Sequence, residues 1–145
     1  ILKLQLAFFL SYGSKGIALL EEFVQYFQDS YKIILDGKFN EIETSLQGYL
    51  EFCFKTLKVQ GVTINPFLGE KTIQQTFETC YKFAGNEGRV YVLCATSETG
   101  QKSMSFIKDH WQKIIRACME AREDVFGINS RDVKLPGVVI GANRP

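Results

Sequence analysis

The stretch LDGKFNEI, residues 35–42, brings two carboxylates and an amine together directly after an apolar run. Asp36 and Lys38 share one face of an extended chain, because successive side chains of a strand alternate. An amine held between carboxylates keeps its proton and can donate it, which is the chemistry of a general acid. Glu41 supplies the second carboxylate. The same spacing also suits an ordinary salt-bridge cluster followed by a helix-capping acid, and spacing alone favours that interpretation.

A second amine can join this group from the preceding apolar segment. Lys3 reaches Asp36 if residues 2–8 and 32–36 are neighbouring parallel strands, because the carboxyl ends of such strands meet at one edge. Glu41 is expected at the start of the following helix, where the helix dipole favours a carboxylate. The candidate site is an array of four alternating charges: Lys3, Asp36, Lys38 and Glu41.

Strand-like and helix-like segments alternate along the whole chain. β-branched and aromatic runs predict five strands, at residues 2–8, 32–36, 62–65, 89–94 and 137–140. Apolar residues at helical spacing predict four helices, with faces that include Leu20 and Val24, Leu46 and Leu50, Ile73 and Phe77, and Ile114 and Cys118. Alternation without a hairpin dipeptide indicates parallel strands joined by right-handed crossovers. The fold class is therefore α/β, and periodicity leaves a doubly wound sheet and a (β/α)8 barrel both open.

Composition argues for a single domain whose partners are neither nucleic acid nor membrane. The 145 residues are 46% hydrophobic, which is enough to fill a core. Lys and Arg number 17 against 16 Asp and Glu, so no basic field indicates a nucleic-acid partner. The apolar runs are too short to span a bilayer, which predicts a soluble protein. The 4 cysteines show no CxxC spacing, which argues against a zinc site or disulfide framework and favours reduced, cytoplasmic thiols.

LDGKFNEI resembles the signature of the orotidine 5'-monophosphate decarboxylase family, whose third barrel strand ends in Asp-x-Lys-x-x-Asp. Four further segments resemble that family in order: KLQLAFFLSYGSKGIALLEE its second strand and helix, VTINPFLGE its fourth-strand loop, VYVLCATSETG its fifth strand and GVVIGAN its sixth. The likeness is greatest to the apicomplexan and bacterial-type branch. It implies that residues 1–145 form a single partial TIM-barrel domain, strands 2 to 6 of the parent (β/α)8 barrel, truncated at both ends relative to the family.

The resemblance also implies roles for individual residues. Lys38 takes the position of the proton donor to C6 of the substrate, beside Asp36 and Lys3. Glu41 takes the place of the family's second aspartate, which serves the active site of the neighbouring subunit, and its side chain is one methylene longer. The substrate-binding positions implied by the resemblance are Gln5, Ser45 and Ser97.

The implied function is the decarboxylation of orotidine 5'-monophosphate to UMP in pyrimidine biosynthesis, without cofactor or metal, by a cytoplasmic homodimer with shared active sites. An orotate phosphoribosyltransferase is a further candidate partner. Two alternatives stay open: a related magnesium-dependent phosphosugar decarboxylase, and a non-catalytic barrel remnant that acts as a binding partner. The family's first-strand aspartate and its phosphate loops have no counterpart in these residues, which leaves the activity of this chain alone open.

Overall fold

The structure, a computed structural model, describes residues 1–95, 110–127 and 136–140. Within them, five strands form one sheet. The elements are, in chain order, β1 (Leu2–Gln5), α1 (Leu6–Leu10), α2 (Gly13–Phe27), β2 (Ile33–Phe39), α3 (Glu43–Glu51), a π-helical turn (Phe52–Thr56), β3 (Gly61–Ile64), a 3₁₀ turn (Pro66–Leu68), α4 (Glu70–Ala84), a 3₁₀ turn (Gly85–Glu87), β4 (Arg89–Ala95), α5 (His110–Phe126) and β5 (Gly137–Ile140).

The order of the strands separates the two α/β architectures that periodicity leaves open. A doubly wound sheet reverses its strand order at a switch point, whereas neighbouring strands of a (β/α)8 barrel follow one another along the chain. Here each strand pairs in parallel with the next one in sequence, from β1 to β5. The sheet is therefore a five-strand arc of a (β/α)8 barrel, as the resemblance implies.

The core lies between this sheet and the helices that cover it. The apolar pairs named above for the four helices are buried: Leu20 and Val24 on α2, Leu46 and Leu50 on α3, Ile73 and Phe77 on α4, and Ile114 and Cys118 on α5. Trp111, at the same helical spacing on α5, is instead 50% exposed. The strands contribute fully buried aliphatic side chains, among them Leu35, Val62 and Val92. Helix α4 ends where Gly85 adopts φ +54, a conformation that glycine reaches without a steric penalty.

The first strand is shorter than the sequence indicates, because the predicted strand over residues 2–8 ends at Gln5 and continues as helix α1. Its last paired residue is Gln5, opposite Asp36. Beyond Asp36 the backbone of β2 leaves the regular ladder, as shown by a register shift between Leu35 and Phe39. Leu6 and the residues after it thus have no regular strand to pair with, and they satisfy their backbone groups in a helix instead.

The composition predicts reduced cysteines and no segment that spans a bilayer. All four cysteines are free and buried. Burial raises the pKa of Cys53, Cys80 and Cys118 to about 12, so these thiols stay protonated at neutral pH and are poor nucleophiles. Among the helices that the structure describes, none combines the length and apolarity that a bilayer crossing requires.

Candidate functional site

A buried carboxylate lies between two ammonium groups at the carboxyl ends of β1 and β2. Lys3 Nζ is 2.5 Å from Asp36 Oδ2, and Lys38 Nζ is 2.8 Å from Asp36 Oδ1. The contact between Lys3 and Asp36, predicted from neighbouring parallel strands, is confirmed. Asp36 is only 4% exposed, whereas the side chains of Lys3 and Lys38 are 59% and 43% exposed. The two amines therefore present their charge on the open side of a fixed anion.

The sequence predicts that the second strand ends at Asp36. In the structure β2 continues through Lys38 to Phe39. Leu35 pairs with Val62 and Phe39 with Ile64, so four steps along β2 match two along β3. This bulge sets Lys38 at φ +46, a left-handed conformation that costs a non-glycine residue about 1–3 kcal/mol. The direction of the Lys38 side chain thus depends on the bulge and not on regular alternation along the strand.

Thr63 on β3 is a member of this site that sequence reasoning missed. Its hydroxyl donates to Asp36 Oδ1 at 2.7 Å and accepts from the backbone N–H of Lys38 at 2.9 Å. The signal was present in the sequence: Thr63 is the one hydroxyl residue in the strand GVTI, and all four residues of that strand are buried. A buried hydroxyl in an apolar strand needs a hydrogen-bond partner, which here is the catalytic candidate Asp36.

Gln5 completes the environment of the carboxylate. With its amide nitrogen facing Asp36, Gln5 donates to Oδ2 at 3.1 Å and to the backbone carbonyl of Asp36 at 2.9 Å. Each carboxylate oxygen then accepts two hydrogen bonds, Oδ1 from Lys38 and Thr63 and Oδ2 from Lys3 and Gln5. A carboxylate has about four acceptor positions, so Asp36 is fully satisfied and fixed in orientation.

These contacts set the ionisation of Asp36. Burial on its own raises the pKa of the carboxyl group, but hydrogen bonds from Lys3, Lys38 and Thr63 together outweigh burial and hold the pKa below its ordinary value of 3.8. The carboxylate is therefore charged throughout the neutral range. At a pH above the ordinary pKa, the charged carboxylate stabilises the folded state. That stabilisation is lost as the pH falls through the lower pKa that Asp36 has in the folded protein.

We expect Asp36→Asn to lower stability at about pH 6 by about 1 kcal/mol at most, since solvent screens both partly exposed lysines. Urea unfolding of the full-length protein between about pH 6 and about pH 3 measures this, and the deficit relative to wild type should shrink once pH falls below 3.8. Asp29→Asn, at an exposed acid after α2, is the matched control and should leave stability at about pH 6 close to that of wild type. A deficit that stays constant down to the lowest pH contradicts the lowered pKa of Asp36.

The remaining predicted site residues lie apart from this cluster. Glu41 is exposed in the loop before α3, which begins at Glu43, so the expectation that Glu41 opens the helix is wrong. Within the described part of the chain its carboxylate makes no hydrogen bond or ion pair with Lys3 or Lys38. Ser45 is exposed on α3, beside an apolar groove. Ser97 lies outside the described residues.

The arrangement can place positive charge, and a transferable proton, beside a bound group on the open side of Asp36. An ammonium fixed by a carboxylate stabilises negative charge that develops next to it and can act as a general acid. Across residues 1–95, 110–127 and 136–140 no three His, Cys, Asp or Glu side chains are grouped as metal ligands would be.

Comparison with known sequences gives the chain relatives along its whole length. The sequence profile of the family described as orotidine 5'-phosphate decarboxylase / HUMPS matches residues 1–145. The orotidine 5'-phosphate decarboxylase of Ralstonia pickettii is 27% identical over 146 residues, which cover 99% of this chain and 49% of that protein. The enzyme of the same name from Thermomicrobium roseum is 33% identical over 98 residues, 68% of this chain and 33% of that protein. The chain thus spans half or less of these relatives.

Solved structures give the same result for the fold. The orotidine 5'-monophosphate decarboxylase of Plasmodium berghei superimposes with a TM-score of 0.81 at 26% identity, over 97% of this chain and 45% of that one. The Leishmania donovani OMP decarboxylase has a TM-score of 0.75 at 24% identity, over 99% of this chain and 53% of that one. These likenesses show the fold. The profile match over residues 1–145 establishes that the chain belongs to the orotidine 5'-phosphate decarboxylase / HUMPS family.

Proposed function

We propose that this chain carries the acid–base centre of an enzyme that decarboxylates orotidine 5'-monophosphate to UMP, without cofactor or metal, in pyrimidine biosynthesis. The observation that carries the proposal is the cluster of Lys3, Asp36 and Lys38, in which one buried carboxylate holds two ammonium groups at 2.5 and 2.8 Å. Membership of the family supports the choice of substrate.

The chemistry explains why such a cluster suits this reaction. When the C6 carboxylate of orotate leaves as CO₂, the electron pair of the broken bond stays on C6, and no carbonyl is placed to delocalise it. Fixed positive charge beside C6 lowers the energy of that carbanion. Lys38 then transfers a proton to C6, which gives UMP, and recovers a proton from solvent. Asp36 holds Lys38 in place by accepting a hydrogen bond from its ammonium group at 2.8 Å.

Glu41 and Ser45 fit this proposal best as residues that serve a second copy of the chain. Both are exposed on the segment after β2 and point to no partner within the Asp36 cluster. A homodimer that shares its active sites would bring them to the neighbouring substrate. Sedimentation equilibrium of the full-length protein tests the dimer, and a monomer at assay concentrations contradicts it. The predicted partner orotate phosphoribosyltransferase is tested by co-purification.

The function is tested by the loss of orotidine 5'-monophosphate absorbance in the presence of the purified full-length protein. We expect turnover that an excess of EDTA leaves unchanged, because the ammonium group of Lys38 supplies the charge that a metal would otherwise supply. The control reaction contains a 3-keto phosphosugar acid as substrate, on which we expect no activity.

Each other outcome of this assay points to a different function. Turnover of the phosphosugar acid instead of orotidine 5'-monophosphate, abolished by EDTA and restored by Mg²⁺, supports the magnesium-dependent phosphosugar decarboxylase. Absence of turnover, together with no saturable binding of a 6-substituted UMP analogue, supports a non-catalytic barrel. Either result contradicts the proposed function.

A further inference from the structure

The hydroxyl of Thr63 connects the two charged residues through a single oxygen atom. It donates its one proton to Asp36 Oδ1 at 2.7 Å, and a lone pair accepts the backbone N–H of Lys38 at 2.9 Å. Thr63 is buried and lies on β3, next to the strand that carries both partners. A hydroxyl is the smallest group that can donate and accept at once, so an apolar side chain of the same shape breaks both contacts.

The bulge in β2 makes this link important for Lys38. Because the register with β3 shifts between Leu35 and Phe39, the N–H of Lys38 leaves the regular ladder and finds its acceptor in a side chain. Lys38 is also held at φ +46, which other residues must stabilise. The ammonium end of Lys38 is fixed by Asp36, and its backbone end is fixed by Thr63.

Gly37 and Phe39 explain why the bulge has little freedom to relax in another direction. A Cβ atom on Gly37 would lie 2.4 Å from the ring of Phe39, so the backbone and this ring are in close contact. The Phe39 ring is buried and stacks on Tyr49 with ring centroids 5.0 Å apart. The bulge is therefore packed against the Phe39 ring at Gly37, and the Thr63 hydroxyl holds it at the backbone N–H of Lys38.

We infer that Thr63 is a positioning residue for the decarboxylation: it orients Asp36 and holds the strained backbone of Lys38, so that the Lys38 ammonium points at the reacting carbon. This inference rests on the proposed function. The Thr63 hydroxyl is engaged by Asp36 and by the backbone N–H of Lys38, so Thr63 acts through these two partners. Displacement of a catalytic group by about 1 Å can lower a rate by about 100-fold, so this link is expected to affect kcat strongly.

Three threonine variants of the full-length protein test the inference. Thr63→Val removes the hydroxyl at constant shape, and we expect kcat to fall by about 10- to 100-fold while KM changes by less than about threefold. Thr63→Ser keeps both contacts and should retain kcat within about threefold of wild type. Thr76→Val is the matched control, because Thr76 is also fully buried and donates to the carbonyl of Thr72, but lies on α4. It should leave kcat unchanged.

A second measurement does not depend on activity. Hydrogen exchange of the Lys38 backbone amide, followed by NMR, should be at least about tenfold faster in Thr63→Val than in wild type, and unchanged in Thr63→Ser and Thr76→Val. If the wild type proves inactive while the Lys38 amide responds in this way, the proposed function fails and the link through Thr63 stands. If the amide does not respond, or if Thr63→Ser loses as much kcat as Thr63→Val, the positioning role is overturned.

Discussion

Replacement of Lys38 by alanine is expected to lower kcat for orotidine 5'-monophosphate by at least about 1000-fold, since it removes both the proton donor and the charge beside C6. The affinity for UMP should stay within about tenfold of wild type. UMP has a hydrogen on C6, so it needs neither proton transfer nor stabilisation of a carbanion. Absorbance assays measure kcat, and calorimetric titration measures UMP binding.

The control for this experiment is Lys55→Ala. Lys55 is also an exposed lysine paired with an acid, Glu51 at 3.6 Å, but it lies in the π-helical turn remote from Asp36. It should retain full activity. Circular dichroism spectra of both variants should match wild type, because Lys38 and Lys55 contribute little to the core. A Lys38→Ala variant that turns over within about tenfold of wild type rules out the proton-donor role.

The second large effect is expected at Gly16, where α1 and α2 pack together. A Cβ atom at this position would lie 1.8 Å from the backbone carbonyl oxygen of Phe9, far inside van der Waals contact. The backbone of residue 16 fixes the position of the Cβ atom, and the atom that it meets is a backbone oxygen, so no rotamer change can relieve the clash. We expect Gly16→Ala to lower the free energy of unfolding by about 1–3 kcal/mol, the range typical of overpacking, as measured by urea unfolding of the full-length protein.

Gly48→Ala is the matched control, since Gly48 also lies within a helix, but a Cβ atom there meets nothing within 4 Å. Alanine is the better helix former by about 0.5–1 kcal/mol, so this variant should be slightly more stable than wild type. Both substitutions replace glycine with alanine. If the free energy of unfolding falls for Gly16→Ala and rises for Gly48→Ala, the loss at Gly16 is due to the contact with Phe9. Equal effects at both positions contradict that assignment.

The secondary structure could be predicted from the sequence where burial and local preference agree. The helix with Leu20 and Val24 on its face and the strand at residues 89–94 both formed as expected. The prediction of the first strand failed because its pairing with β2 ends before its strand-like composition does. The segment LAFF has the composition of a strand, but its neighbour bulges beyond Asp36, and the chain forms a helix at Leu6.

The candidate site divides in the same way. Lys3, Asp36 and Lys38 could be predicted to lie together because their charges stand next to apolar runs and parallel strands end at the same edge. Spacing alone favoured an ordinary salt-bridge cluster, and the family resemblance supplied their roles. Thr63 could not be chosen with the same ease, since a threonine is common in strands and its partner lies 27 positions earlier in the sequence. Glu41 retains a predicted role that depends on a second copy of the chain.

The sequence by itself determined the alternation of strands and helices, their apolar faces and the types of charge available at the carboxyl end of the sheet, because these depend on local composition and spacing. Periodicity left the strand order open, and the family resemblance implied it. Only the tertiary structure decided the register shift in β2 and the left-handed backbone of Lys38. The physical reason is that register and bulge geometry follow from hydrogen bonds between strands distant in sequence. Local preference does not contain that information.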